Sequence, residues 1–115
     1  MAWFDRVLSI LLIVASIVHW FDSLRYYHDD LTLLWALCAS LFIILVGVVN
    51  LLRTVRPADR TLAWICLVSA IAWIAAALRF ADLTGRMVDS HVLAVVVITI
   101  GICIFSVRTL LLAKR

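Results

Sequence analysis

Apolar residues come in four long blocks along this chain, separated by short clusters of charge. No Asp, Glu, Lys or Arg occurs at positions 7–21, 31–52, 61–78 or 90–107. An α-helix rises 1.5 Å per residue, so roughly 20 residues cross about 30 Å of hydrocarbon. Each block reaches that length with a few flanking residues, and the connections left over are short. The pattern predicts an all-α, four-helix transmembrane bundle, one integral membrane domain over residues 1–115. Its spans are expected at about 4–24, 31–52, 60–79 and 90–112.

The 100° step of a helix assigns faces within these spans. On the first, Asp5, Ser9, Ser16, His19 and Ser23 fall on one narrow stripe, and on the third Asp59, Ala63, Cys66, Ala70 and Ala77 do the same. Membrane helices gain no hydrophobic energy by touching one another, so they associate where small residues allow close approach and polar groups can bond. Ser9, Ser16, Ala63, Cys66 and Ala70 are therefore expected to form a central packing seam between helices 1 and 3, with Trp73 deep on it. Helix 2 offers Ala36, Ser40, Gly47 and Asn50, and helix 4 offers Thr99, Cys103 and Ser106. Asn50 is expected to bond to Ser106 or Thr109 across helices.

Shifting the sequence by 54 positions lays Asp5-Arg6-Val7-Leu8 on Asp59-Arg60-Thr61-Leu62, and Leu24-Arg25-Tyr26 on Leu78-Arg79-Phe80. Seven of the positions 5–27 are identical at this offset. This suggests a tandem duplication of a two-helix hairpin, with parallel halves related by a pseudo-twofold axis along the membrane normal.

Composition removes the alternative of a soluble domain. The chain is 67% hydrophobic and 15% charged, with a mean hydropathy of +1.20, against about half and a quarter in globular proteins. Charge sets orientation, because cytoplasmic loops keep Lys and Arg. Arg6, Arg53, Arg56, Arg60, Arg108, Lys114 and Arg115 share one side with Asp5 and Asp59. Arg25, Arg79 and Arg86 share the other with Asp22, Asp29, Asp30, Asp82 and Asp89. Both termini are thus expected in the cytoplasm, with a bacterial cytoplasmic (inner) membrane the expected location. The basic pI near 9.1 reflects this asymmetry and points to no nucleic-acid partner, since no basic cluster is interleaved with stacking aromatics. Trp3 and Trp64 near one interface, and Trp20, Trp35, Tyr26 and Tyr27 near the other, fit aromatic belts. The first block has a signal-peptide-like length, but no small-x-small cleavage site follows it, so it is expected to remain as a span. Cys38, Cys66 and Cys103 form no C-x-x-C pair and are expected as small buried residues.

Candidate chemistry gathers on the acidic side. His19 and Asp22 are neighbours at helical spacing, and ionisable groups at membrane depth are often functional. They form a candidate titrating or ligand pair, with His28, His91 and Asp89 as a candidate outer cluster. The cluster is compatible with a transition metal or with haem ligated through His19 and His91. No ligand spacing is diagnostic, and no cofactor is predicted. The competing expectation is that His19 packs against Trp73 and bonds to Asp22 or a seam serine. Size and span count resemble the small multidrug resistance transporters, yet that family relies on a membrane-embedded Glu and this chain contains none. The fluoride-channel family is of similar length, but its Gly-rich and Asn-containing motifs do not occur here. No Ser or Cys has both a base and an oxyanion donor beside it, so an enzyme is not expected. The sequence favours a small non-catalytic accessory or structural subunit acting through helix–helix association, as a homo-oligomer or within a larger membrane complex. The alternatives are a small proton-coupled transporter or channel working as a homodimer, and a metal- or haem-binding membrane protein.

Overall fold

The computed structural model describes residues 2–85 and 90–112. These residues form four helices, α1 (Ala2–Tyr26), α2 (Asp30–Val55), α3 (Arg60–Thr84) and α4 (Ser90–Leu112). Each is long and apolar enough to cross a membrane, as expected of an integral membrane protein. The helices outrun most of the expected spans, since charge cannot end a helix whose backbone bonds are already being made. The largest consequence is in α2, which continues past Leu52 through Arg53 and Thr54 to Val55.

Capping sets several ends. The Asp29 carboxylate accepts from the Thr32 amide at the start of α2, and the Asp59 carboxylate accepts from the Leu62 amide at the start of α3. Both satisfy first-turn donors that have no partner within the helix. Gly85 ends α3 in the left-handed conformation, φ 67°, where a side chain would be strained.

Neighbouring helices pack in a ring: α1 with α2, α2 with α3, α3 with α4, and α4 with α1. Helices α1 and α3 therefore stand diagonally, and they are not the direct seam partners that their matching stripes suggest. Periodicity identifies which face is inward but not which helix it meets. Ser9 and Ser16 on α1, and Ala63, Cys66 and Ala70 on α3, are all buried, while Trp73 is partly buried against the core. Cys103 is half-buried, whereas Cys38 is exposed, contrary to the expectation of burial for all three cysteines.

All four helices contribute to one apolar layer, formed by Leu12, Ile43, Val46, Ala70 and Ile102. The buried hydroxyls around it fold back on their own helices. Ser16 Oγ donates to the Leu12 carbonyl (2.7 Å), Ser40 Oγ to Ala36 (3.0 Å), Thr99 Oγ1 to Val95 (2.7 Å) and Ser106 Oγ to Ile102 (2.9 Å). Satisfied in this way, they ask nothing of a neighbour and serve as small packing residues.

Helices α1 and α2 approach each other closely at Gly47. A Cβ there would sit 2.6 Å from Ile13 Cγ1 and 3.2 Å from the Ser9 carbonyl oxygen, whereas at Gly101 it would meet only Leu8 Cδ1, at 2.9 Å. The Ser9 carbonyl is fixed backbone, but Leu8 Cδ1 is the end of a flexible side chain. Gly47→Ala is therefore expected to destabilise the bundle by about 1–3 kcal/mol, and Gly101→Ala by clearly less. Reversible unfolding in mixed detergent micelles measures both, and equal losses would contradict this packing.

Candidate functional site

Two groups of polar residues lie at opposite ends of the bundle. At the basic end, Arg53 is drawn into the interior with 2% of its side chain exposed, and it forms an ion pair with Asp5 of α1. The expected span over 31–52 leaves Arg53 outside the membrane helix, because the charge-free block stops at Leu52. The additional turn of α2 instead carries it inward, one turn from Asn50.

The pair anchors a wider network. Asn50 Nδ2 donates to Asp5 Oδ1 (2.8 Å) and to Ser9 Oγ (2.6 Å), and Arg53 Nε donates to Asn50 Oδ1 (2.9 Å). Arg53 Nη1 donates to the Phe105 carbonyl (3.1 Å) and to Thr109 Oγ1 (2.5 Å), while Nη2 donates to Asp5 Oδ2. Four of the five guanidinium N–H groups are thus used. The Cys66 thiol of α3 also lies beside Arg53 and Asp5, so this one cation reaches all four helices. Asn50 bonds to α1 rather than to Ser106 or Thr109, and Thr109 is taken by Arg53. The spacing of Asn50 and Arg53, three residues apart on one helix, is the sequence signal that could have revealed the site.

Buried charge in this arrangement is chemically quiet. Both Asp5 oxygens accept bonds and the paired charges cancel. The network can orient and lock helices, and it offers no open nucleophile or base.

The acidic end is looser. The His19 side chain is exposed, close enough to Asp22 and His91 for their charges to act on it. Asp22 on α1 and His91 on α4 thus each lie within electrostatic range of His19. Its ring makes no hydrogen bond to Asp22 or to a seam serine among the described residues; Ser23 Oγ instead donates to the His19 backbone carbonyl at 2.7 Å. Trp73 packs against Phe42, with ring centroids 6.2 Å apart, and its Nε1 is buried without a hydrogen-bond partner among the described residues. His28 is exposed in the α1–α2 connection, and Asp89 lies outside the described residues. Among those described, no three His, Cys, Asp or Glu side chains are grouped to hold a metal ion. Arg79 pairs with Asp82 at 2.7 Å on the exposed surface, while Arg25 makes no matching ion pair with Asp22 among the described residues.

Compared with known proteins, the chain matches no family model, and neither a curated protein nor a solved structure shows significant similarity to it.

Asp29, in the loop at the acidic end, supplies a pH-dependent element. The Thr32 hydroxyl (2.7 Å) and amide (2.8 Å) both donate to its Oδ2, and these bonds hold its carboxyl below the ordinary aspartate value. Because the folded value is depressed, the cap's stabilisation is present above the ordinary value and is lost as pH falls through the depressed one. The Thr32 amide resonance in NMR is expected to titrate with a midpoint below that of a free aspartate. A midpoint at or above it would contradict the cap.

Proposed function

We propose that the protein is a small non-catalytic membrane subunit, with both termini in the cytoplasm, that works through helix–helix association with itself or a larger membrane complex. The observation that carries this reading is the sealed interior. Leu12, Ala70 and Ile102 are fully buried in a layer to which every helix contributes, and the neighbouring hydroxyls are bonded to their own backbones. A solute path through one bundle would need polar groups facing each other there. What the bundle offers instead is its outside, rich in exposed Leu, Ile, Val and Phe, where lipid or another helix can pack.

Two features support descent from a duplicated hairpin. Buried positions 9, 12 and 16 of α1 correspond to buried positions 63, 66 and 70 of α3 at the offset seen in sequence. The ring of packed pairs also maps onto itself when α1 is exchanged with α3 and α2 with α4. The buried faces of α2 and α4 align two residues further along, pairing 43 with 99, 46 with 102 and 50 with 106. This explains why the sequence match fades there. The excess of Arg at the end where α1 begins and α4 finishes supports the cytoplasmic placement.

A second reading rests on the proximity of His19, Asp22 and His91, which would serve a proton-coupled transporter assembled from two copies. One pair of measurements separates the two. The subunit reading predicts that the protein extracted in mild detergent runs as an oligomer or with other membrane proteins. It also predicts that proteoliposomes holding it show no proton flux. A lone monomer, or a pH-dependent flux abolished by His19→Ala, would overturn it.

A further inference from the structure

A cleft of about 200 Å³ opens at the basic end, between the start of α1 and the last turns of α2 and α4. The Asp5–Arg53 pair lies along it, and Pro57, Phe105 and Leu112 give it apolar walls. Arg108 also lines it, exposed and with no hydrogen bond or ion pair among the described residues. A second cation stands beside it, because Arg6 Nε donates to Thr54 Oγ1, another lining group, at 3.4 Å.

The charges at this cleft do not cancel. Arg53 neutralises Asp5, which would otherwise repel an anion, and this leaves Arg108 and Arg6 with positive charge that no ion pair compensates among the described residues. A fitting ligand therefore carries negative charge next to apolar surface. A free anion would leave Phe105, Leu112 and Pro57 facing water, whereas a phospholipid presents phosphate and hydrocarbon together. Depth agrees, since Asp5, Arg53 and Thr109 all lie within about one turn of their helix ends, where headgroups meet the hydrocarbon.

We propose that this cleft is a binding site for the phosphate of an anionic glycerophospholipid, held by Arg108 and Arg6 with its glycerol and upper acyl carbons against Phe105, Leu112 and Pro57. The Asp5–Arg53 pair acts as a positioning element that keeps the floor neutral. The proposal needs the bundle to sit in a bilayer and does not depend on any protein partner.

The test is a lipid titration of the purified full chain in mild detergent, read by native mass spectrometry. Phosphatidylglycerol is expected to bind in preference to phosphatidylcholine. Arg108→Ala should weaken its binding about fivefold, and Arg6→Ala combined with it about 25-fold, which is ~1 kcal/mol per Arg. Both side chains are exposed, so the fold should survive, which circular dichroism checks in parallel. Arg25→Ala, at the opposite end, should leave binding unchanged, and millimolar inorganic phosphate should not displace the lipid. Equal binding of the two lipids would overturn the proposal, as would an Arg25→Ala loss equal to that of Arg108→Ala. Displacement by inorganic phosphate would also overturn it, by showing a free-anion site in place of a lipid site.

Discussion

A charge inside a membrane protein must find its opposite or leave, and Arg53 has found Asp5. An unpaired cation or carboxylate at this position would carry a desolvation cost of several kcal/mol. That cost is offset only while α1 and α2 hold these two residues together. The other guanidinium bonds extend the constraint, through Asn50 to Ser9 and through Thr109 and Phe105 to α4. Any splaying of the helices at the basic end would have to break charged hydrogen bonds in a poorly hydrated place. The remaining architecture is compatible with this anchor: Gly47 lets α1 and α2 approach closely one turn further in, and the apolar layer beyond it needs no polar glue.

The two ends consequently differ in character. At the basic end polarity is buried, paired and fixed, and surplus charge faces outward around a cleft. At the acidic end His19, Asp22 and the Arg79–Asp82 pair lie nearer the surface, and helix caps such as Asp29 do the local work. Between them the interior is closed by side-chain packing. A molecule built in this way interacts with its surroundings through its outer surface and its ends, which is why lipid and helix association, and not passage through the bundle, form the functional reading.

Four helices were legible from charge-free blocks because the bilayer imposes a length that few other structures need. Asp29 and Asp59 stand at the entrances to the second and third blocks, where a short acidic side chain meets unpaired first-turn amides, and both act as caps. The inward placement of Ser9, Ser16, Ala63, Cys66 and Ala70 followed from a 3.6-residue period. The diagonal placement of α1 and α3 did not, because a period reports a face and says nothing of the neighbour across from it. Arg53 was hidden for a different reason. A charge ordinarily marks the end of a span, and one that is neutralised inside the protein defeats that rule. Asn50 reads as an interhelical bonding residue, but its partner depends on the rotation of α2 relative to α1, which only three-dimensional packing settles.

The central claim is that Asp5 and Arg53 stabilise the bundle as a unit, and a double-mutant cycle tests it most directly. Asp5→Leu, Arg53→Met and the double substitution would be compared by reversible unfolding in mixed detergent micelles. Each single change strands a buried charge and is predicted to cost about 3–5 kcal/mol, while the double change removes both charges and is predicted to cost no more than either single one. Single losses that add up in the double variant would contradict the account, because they would mean that the two residues act independently.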